Sequence, residues 1–539
     1  MTTSRKRAVT AGLVGGLLLA GLGLAVSAPA PRWLTSVTPV EIDLDHPDGL
    51  IDTESLGQLP RDVLAVPLFR DLLTEDLVTY YEQHPGRLTL AGILRRLAWE
   101  HDVDAGDWII RAVLDEPAQV ALWQARDGQI RHYLIVLRLN RLARMMELAA
   151  RLALRDRFVR EVAGGLPIGG TTVPAYTLER PAGRIVLFAA HADRLLIVSD
   201  AGMVVDREGK VSVRARRALD GLLGGPAPGY YLDRFALSPS GLRHRVVLAA
   251  RYLSFGYQRF FPGLVAVRFD FGPAGWATRV LFDLRALPAV GFKPEQVWGL
   301  TPVDPSSCFA LPVDWAAAAT LAPSLGVDAA DAAAAAEALE GPAAVCWYPR
   351  ARLHAPVFVA PLKRPMTPDE TTLLAAIFAA AIGRGDTDAP VDTVTADDGS
   401  LAWHRRVPHR LHRDAALETF DATLASHPRA LVFSPDARLA RDVLGVAARR
   451  YPAVADVLPA GGTVLAVVAA PSLATLFEME IAAVPGAHEP AFRTVATTHL
   501  APRLAALKRY PTYALVLSPA PGDPADRWTP VDWVELARP

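Results

Sequence analysis

The sequence predicts an α+β protein in which an N-terminal transmembrane helix precedes two related mixed α/β repeats with largely antiparallel sheets. Three observations predict this fold class. An uncharged apolar run opens the chain, helix-like and strand-like segments alternate after it, and two parts of the chain match each other in the same order. At 539 residues the chain is also too long for one ordinary domain, since domains usually have about 100–200 residues.

The apolar run covers residues 8–28 and follows the basic residues 5–7. A helix of this length can cross a hydrocarbon layer of about 30 Å, and the cationic end is expected to stay in the cytoplasm. We therefore expect residues 1–31 to form a membrane anchor or signal segment, with residues 8–28 in the inner membrane and the bulk of the chain in the periplasm. Cleavage after Ala28 as a signal peptide is the alternative, and Pro29 is expected to hinder it.

After a polar, proline-containing linker over residues 32–52, the chain alternates between helical and extended patterns. Apolar spacing predicts helices after Pro67, over residues 89–101 and over residues 142–154. Strand-like runs occupy residues 120–123, 133–139, 185–190, 195–199, 265–271 and 278–282. The tight turns within residues 185–199 favour antiparallel pairing over a parallel sheet.

Internal similarity predicts a duplicated chain. Residues 103–123 align without a gap with residues 327–347, and residues 191–201 match residues 427–437 at a similar displacement. A tandem duplication of about 230 residues explains both matches. We expect a first α+β repeat over residues 53–288 and a second over residues 289–539.

Composition limits the classes of partner. Hydrophobic residues make up 51% of the chain and charged residues 21%, as in a globular protein, and the net charge is -1. Nucleic-acid binding usually requires a basic footprint, so nucleic acid is not an expected partner.

Motifs that carry catalysis are absent from the sequence. It has no GxSxG nucleophile elbow, no GxxxxGK[ST] phosphate loop, no HExxH zinc helix and no calcium-binding loop. We therefore expect no enzymatic activity, no cofactor, and no catalytic, cofactor-binding or metal-binding residues. The glycine pairs Gly164-Gly165 and Gly169-Gly170 are interpreted as turns between a helix and a strand and not as a phosphate-binding loop.

Histidines cluster at positions 404, 409 and 412, among arginines at positions 405, 406, 410 and 413. The positive field of the arginines opposes a divalent cation, and Pro408 would interrupt a helix that aligned the rings. A solvated basic loop is the preferred interpretation, with contact to an anionic envelope polymer or lipid as the alternative. The run from Trp99 to Asp102 could serve acid–base chemistry, but a charged helix end explains it better.

Two further features leave alternatives open. The two cysteines, Cys308 and Cys346, are too far apart in sequence for a CxxC motif, and a disulfide between them is an alternative if the chain is exported. No spacing argument brings their Cα atoms within about 7 Å. The aromatic residues of segment 252–261 suit either a contact surface or a core strand.

The segment LIDTESLGQLPRDVLAVPLFRDLLTEDLVTYYEQHPGRLTLAGILRRLAWEHD, which begins at Leu50, resembles the start of an uncharacterised bacterial family, a domain of unknown function. The resemblance is clearest over residues 50–123. Members of that family are envelope proteins often encoded beside bacterial alpha-2-macroglobulin-like proteins. The resemblance implies a periplasmic setting and a partnership in envelope defence. It carries over no catalytic residue, because the family has no established activity.

The favoured hypothesis is a membrane-anchored periplasmic protein that binds another envelope component through one or both repeats. An alpha-2-macroglobulin-like protein is the partner that the resemblance suggests. The alternative is a periplasmic hydrolase whose carboxylates and histidines converge only in the fold. A purely structural spacer would have neither a pocket nor an exposed apolar patch.

Overall fold

The computed structural model describes most of the chain after residue 37. The described residues are 38–73, 116–125, 130–138, 159–162, 164–179, 185–206, 210–224, 229–237, 243–253, 263–272, 275–283, 292–320, 322–325, 327–382, 390–396, 399–409, 418–483, 496–518 and 527–537. The chain divides into two compact units. Unit 1 contains residues 1–66, 76–255 and 266–277, and unit 2 contains residues 67–75, 256–265 and 278–539.

Unit 1 is built around antiparallel strands. Their bounds are β1 Gly49–Thr53, β2 Ala118–Gln124, β3 Ile130–Arg138, β4 Val159–Glu161, β5 Leu166–Ile168, β6 Thr171–Val173, β7 Ala175–Glu179, β8 Ile185–His191, β9 Arg194–Val198, β10 His244–Ala249 and β11 Leu264–Gly272. Strand pairing gives the order β4-β7-β8-β9-β3-β2-β1-β10-β11. Strands β5 and β6 form a separate hairpin.

Helices in unit 1 are short. They are α1 Leu59–Ala65, α3 Val213–Leu219, α4 Tyr230–Arg234 and α5 Ala250–Leu253, with a 3-10 turn at Ala201–Met203 and a π turn at Asp220–Gly224. Ser212 caps the N-terminus of helix α3, because its side chain accepts a hydrogen bond from the Ala215 N–H. The apolar residues of α3 and of the π turn are buried, so this segment contributes to the core.

Unit 2 is also built around antiparallel strands, and only residues 278–282 of its first strand belong to this unit. Its strands are β12 Gly275–Phe282, β13 Ser307–Leu311, β14 Ala343–Trp347, β15 Val357–Pro361, β16 Asp392–Thr395, β17 Leu401–His409, β18 Glu418–His427, β19 Ala430–Ser434, β20 Thr463–Ala469, β21 Thr512–Leu517 and β22 Trp528–Leu536. The order is β16-β17-β18-β19-β15-β14-β13-β20-β21-β22, with the Thr278–Leu281 part of β12 paired to β22.

Helices in unit 2 include two that cover the sheet. The helices are α2 Pro67–Leu73, α6 Glu295–Trp298, α7 Trp315–Ala319, α8 Ala329–Glu337, α9 Pro368–Ile382, α10 Ala437–Ala447, α11 Ala470–Ala483 and α12 Ala501–Leu507. Shorter turns are the 3-10 turns Ala322–Leu325 and Val454–Asp456 and the π turn Ala496–Leu500.

Helices α9 and α10 pack on opposite faces of this sheet. In β18, Leu424 packs in the cluster that contains Phe378 of α9, whereas the adjacent Ala425 packs in the cluster that contains Val443 of α10. Because consecutive side chains of a strand point to opposite faces, the two helices lie on different sides. Asp436 caps the N-terminus of helix α10, because its carboxylate accepts a hydrogen bond from the Arg438 N–H at 2.8 Å.

Helix α2 belongs to unit 2, although it lies near the beginning of the chain and far in sequence from most of that unit. Leu68 of α2 packs against the cluster that contains Ala474 of α11 and Leu504 of α12. The side chain of Asp71 accepts hydrogen bonds from Tyr510 Oη at 2.8 Å and from Arg509 Nη2 at 3.1 Å. Unit 2 is therefore not a continuous stretch of sequence.

The two units share one order of strands. The order β8-β9-β3-β2-β1-β10-β11 in unit 1 corresponds to β18-β19-β15-β14-β13-β20-β21 in unit 2. The corresponding strands also occur in the same order along the chain. His191 and His427 each end the strand at the start of this order, and Trp123 and Trp347 lie in β2 and β14. The domain bounds 53–288 and 289–539 stay a prediction.

The predicted fold class was wrong. We expected a transmembrane helix followed by two mixed α/β repeats with largely antiparallel sheets, but the described residues form mainly extended antiparallel sheet, with few helices. None of the helices in the described ranges is long and apolar enough to cross a membrane. The apolar segment 8–28 and the predicted helices 89–101 and 142–154 lie outside the described residues.

Candidate functional site

A row of apolar side chains crosses one face of the unit 2 sheet. Phe309 of β13 lies opposite Val345 of β14, Val345 lies opposite Phe358 of β15, and Phe358 lies opposite Phe433 of β19. Directly opposed residues of an antiparallel pair point to the same face, so the four side chains form one continuous row. Phe309 and Phe358 are each 38% exposed.

Trp347 extends this row along β14, two residues beyond Val345 and on the same face. Its ring lies edge-on to Phe309, with the ring centroids 6.4 Å apart, and the rings of Phe358 and Phe433 are 6.0 Å apart. Indole Nε1 of Trp347 donates to the Leu353 carbonyl at 2.9 Å. We call the exposed and half-buried residues Phe309, Val345, Trp347, Leu353, Phe358 and Phe433 the aromatic face.

The opposite face of the same strands explains why the residues of the aromatic face lie outside the core. Alternate positions Cys308, Cys346, Val357, Val359 and Val432 are completely buried in the core beneath α10. Strand geometry sends their neighbours in sequence to the other side. Helix α9 covers part of that side: it packs against Trp403 and Leu424, and Phe433 at one end of the row packs against the same cluster.

A charged clamp fixes the edge of the aromatic face. Arg352 donates to Glu480 of α11 through Nε at 2.9 Å and Nη2 at 3.1 Å, and the Leu353 N–H donates to Glu480 Oε1 at 2.7 Å. Burial by itself would raise the pKa of Glu480, but these hydrogen bonds hold that pKa below its ordinary value. The loop that carries Leu353 is thus tied to α11 by an ionised carboxylate.

A second polar arrangement lies buried in unit 1. His244 of β10 contacts Thr53 Oγ1 through Nδ1 at 2.6 Å and Asp62 Oδ2 through Nε2 at 3.0 Å. Burial lowers the pKa of His244, although Asp62 opposes that shift. The order of hydroxyl, imidazole and carboxylate is the order found in nucleophilic hydrolases.

The surroundings of Thr53 favour a structural role for this arrangement. The Thr53 hydroxyl also donates to the Ser55 carbonyl at 2.9 Å, so its single proton is directed away from His244. Thr53 is 4% exposed and His244 is completely buried, which leaves little access for a substrate. The three side chains connect β1, β10 and helix α1.

Beside this arrangement, charged side chains cross the opposite face of the unit 1 sheet. Arg245 of β10 donates to Asp52 of β1 through Nε at 3.0 Å, and Gln119 Nε2 donates to the same carboxylate at 3.1 Å. On β11, Arg268 Nε lies 2.9 Å from Asp270 Oδ1. Buried charges are tolerated when they are paired in this way.

Those singled-out residues that the structure describes do not assemble into a site. His404 lies in strand β17, where Nδ1 contacts Thr423 Oγ1 at 2.9 Å, and His412 lies outside the described residues. The basic segment is thus a strand up to His409 and not a loop. Within the described ranges, no group of three or more histidine, cysteine, aspartate or glutamate side chains could hold a metal ion.

The structure also gives the outcome for one of the glycine turns and for the two cysteines. Gly169 and Gly170 turn the chain between β5 and β6 with φ values of 56° and 79°, so the turn is confirmed, but it connects two strands and not a helix and a strand. Cys308 and Cys346 are directly opposed on β13 and β14 and form a disulfide. Most of the aromatic segment 252–261 and the run 99–102 lie outside the described residues.

Sequence reasoning missed both the aromatic face and the buried histidine. Phe309 and Phe358 each stand between small or β-branched residues, a pattern that also suits a buried strand. His244 is 191 positions from Thr53 in the chain, and no local motif connects them. Only the strand register brings these side chains together.

Comparison with known proteins identifies relatives of unassigned role. Residues 6–533 match the family described as "Uncharacterized protein conserved in bacteria (DUF2138)". The chain is 30% identical over 555 residues to "Uncharacterized protein YfaA" of Escherichia coli (strain K12), covering 97% of this chain and 98% of the relative. No solved structure matches the chain.

Proposed function

We propose that this chain, which belongs to the bacterial DUF2138 family, is a periplasmic protein whose aromatic face binds another protein of the cell envelope. The observation that carries the proposal is the exposure of Phe309 and Phe358 in one continuous row. Contiguous exposed apolar surface is typical of interaction sites, and aromatic residues are enriched at the centres of protein interfaces. The protein has no turnover of its own in this proposal.

The shape of the aromatic face suits a protein partner. Aromatic side chains supply a large contact area for few rotatable bonds, so little conformational entropy is lost when a partner covers them. The sheet beneath is held rigid by the core under α10, and the clamp between Arg352 and Glu480 fixes the loop at its edge. A fixed apolar surface beside a polar edge is the usual anatomy of an interface.

Two features support the periplasmic setting. The apolar segment 8–28 after basic residues is suited to direct export. The disulfide between Cys308 and Cys346 is suited to an oxidising compartment, because cytosolic thiols are normally kept reduced. An alkaline phosphatase fused after Pro539 should be active in whole cells and recovered with membranes. An inactive but stable fusion would contradict the periplasmic setting.

The partner is best sought by crosslinking at the aromatic face in living cells. A photoreactive amino acid placed at Phe358 should give a discrete adduct, whereas the same amino acid at Val213, which is 86% exposed in unit 1, should not. The alpha-2-macroglobulin-like protein suggested by the family resemblance is the first candidate to test with purified components. Equal adducts at both positions, or none at Phe358, would contradict the proposal.

Hydrolysis is the second candidate function, and the contact of Thr53, His244 and Asp62 is the observation that favours it. A Thr53→Val variant keeps the shape of the side chain but removes the hydroxyl. Loss of a measured hydrolytic activity in this variant, with an unchanged thermal midpoint, would favour hydrolysis over binding. Adducts at Phe358 test the binding proposal independently of this result.

A further inference from the structure

The first described residues of the chain are fixed to unit 1. Trp123 Nε1 donates to the Asp43 carbonyl at 2.8 Å, and Tyr231 Oη donates to the Leu44 carbonyl at 3.0 Å. Leu44 is 4% exposed, so its side chain belongs to the core. Segment 38–48 is therefore a part of unit 1 and not a free tether.

This segment enters unit 1 close to helix α3. The Val40 N–H donates to the Gly202 carbonyl at 2.9 Å, and the Val204 carbonyl, two residues later, accepts from the Ser212 N–H at 3.0 Å. Ser212 is the residue that caps α3. Consecutive Cα atoms are about 3.8 Å apart and those of hydrogen-bonded neighbours about 5.5 Å apart, so α3 begins within about 20 Å of Val40.

Helix α3 presents a basic face to solvent, formed by the exposed residues Val213, Arg214, Arg216 and Arg217. At about 100° per residue, Val213 and Arg217 lie at the centre of this face, and Arg214 and Arg216 flank them. Val213 is 86% exposed, although it is apolar. The buried side of the helix consists of Ala215, Ala218 and Leu219. An exposed apolar residue among cations is typical of a helix that lies at a membrane surface.

The basic face keeps an excess of positive charge. Helix α3 contains no acidic residue. Arg217 Nη1 lies 3.9 Å from Asp45 Oδ2 of segment 38–48, but this carboxylate is shared with Arg234, whose Nη2 also lies 3.9 Å away. Within the described residues, the side chains of Arg214 and Arg216 make no hydrogen bond or ion pair. Uncompensated cations of this kind attract an anionic surface.

We infer that the basic face of α3 binds anionic lipid headgroups of the membrane to which the chain is attached. The inference rests on the proposed attachment of the chain to the inner membrane through segment 8–28. Residues 29–37 span at most about 35 Å even when fully extended, so the chain itself keeps segment 38–48 and the adjacent α3 near the bilayer. An anionic bilayer has the complementary charge and is held within reach. Binding would give unit 1 a defined orientation on the membrane.

A spin label at position 213 tests the inference in the full-length chain in lipid nanodiscs. Val213→Cys supplies the only free thiol for the label, because Cys308 and Cys346 are bonded to each other. Val394→Cys, at an exposed position of unit 2, is the control. One set of discs contains neutral phosphatidylcholine alone, and the other also contains anionic phosphatidylglycerol. The rate of collision between the label and a neutral, water-soluble nickel complex measures how far lipid shields each position from water.

In anionic discs we expect the collision rate at position 213 to fall at least about twofold relative to neutral discs, and the rate at position 394 to stay unchanged. Arg214→Gln combined with Arg216→Gln should abolish the fall, since each cation favours an anionic surface by about fivefold. Arg441→Gln combined with Arg449→Gln removes two exposed charges from unit 2 and should leave the fall unchanged. Thermal midpoints show that each variant is folded.

The outcomes separate the inference from the proposed function. A chain that does not enter the discs would contradict the membrane attachment and overturn the inference with it, while crosslinking at Phe358 still tests the aromatic face. A chain that enters the discs but has equal collision rates at position 213 in both lipids would overturn the inference alone. So would shielding of position 213 by a soluble polyanion but not by anionic lipid, which would assign the basic face to a polymer.

Discussion

Cys308 and Cys346 lie directly opposite each other on β13 and β14, with their Cα atoms 4.0 Å apart and their sulfur atoms bonded. Both side chains are completely buried in the core of unit 2. Their neighbours Phe309 and Trp347 lie on the aromatic face, on the other side of the same strands. The covalent bond between the strands therefore also fixes the register of the residues proposed to bind a partner.

Replacing both cysteines with alanine is expected to lower the free energy of unfolding of unit 2 by about 2–4 kcal/mol, because the bond restricts the unfolded chain. Chemical unfolding with and without a reductant measures the effect. The reductant should destabilise the unmodified chain and leave the variant unchanged. Free thiols in protein taken from the native cells and denatured without a reductant would contradict the disulfide.

Phe358→Ala is expected to lower partner capture strongly and the free energy of unfolding only slightly, since the ring is partly exposed. Val359→Ala is the matched control on the same strand. Val359 is completely buried, so its truncation should cost roughly 1.5–3 kcal/mol, the scale of burying a valine side chain. Urea unfolding and crosslinking yield distinguish the two effects. Equal loss of partner capture in folded samples of both variants would argue against the aromatic face.

The buried His244 should make the stability of unit 1 depend on pH. Its pKa is lowered in the folded chain, so the unfolded chain binds the proton more readily. The stabilisation is complete above the unfolded pKa of about 6.5 and is lost as the pH falls from there through the folded pKa. Unfolding at about pH 7.5 and about pH 5.5 measures the difference. If a His244→Gln variant keeps the full pH dependence of stability in this window, groups other than His244 cause that dependence.

The start of helix α9 offers a test of local stability. The Glu370 N–H donates to Thr367 Oγ1 at 3.3 Å, and the Thr367 N–H donates to Glu370 Oε2 at 2.8 Å, which together form a capping box. Thr367→Ala should lower the free energy of unfolding by about 1 kcal/mol. Thr372→Ala, one turn later on the same helix, is the control and should change it by less than about 0.5 kcal/mol. Equal losses of unfolding free energy in the two variants would show that the capping box adds no stability of its own.

Local signals in the sequence predicted local structure well. Strands β8 and β9 pair antiparallel around a short turn, as the spacing of residues 185–199 predicted. Proximity in sequence made that pairing recognisable, because a short turn leaves the two strands few other arrangements. The prediction of a loop around Pro408 was wrong, because the local sequence does not show the strand pairing that makes this segment extended. Trp403 and Arg405 alternate inward in a strand that pairs with β18, and a proline near the end of such a strand is compatible with it.

Long-range features could not be read from the chain in advance. The fold class was wrong because the balance of sheet to helix depends on which strands pair across the chain, and periodicity does not specify partners. The contacts of His244 with Thr53 and of Phe358 with Phe433 depend on strand register in the same way. A shift of one residue would send Phe358 to the opposite face.

The placement of helix α2 in unit 2 has a consequence for the synthesis of the chain. Asp71 leaves the ribosome early, but Arg509, its partner across 438 positions, is made almost last. The helical cluster of Leu68, Ala474 and Leu504 therefore stays incomplete until nearly the whole chain has been translated. A fragment that begins after residue 288 would lack this helix and expose the apolar surface that it covers. The two halves of the sequence are thus not independent units of biogenesis.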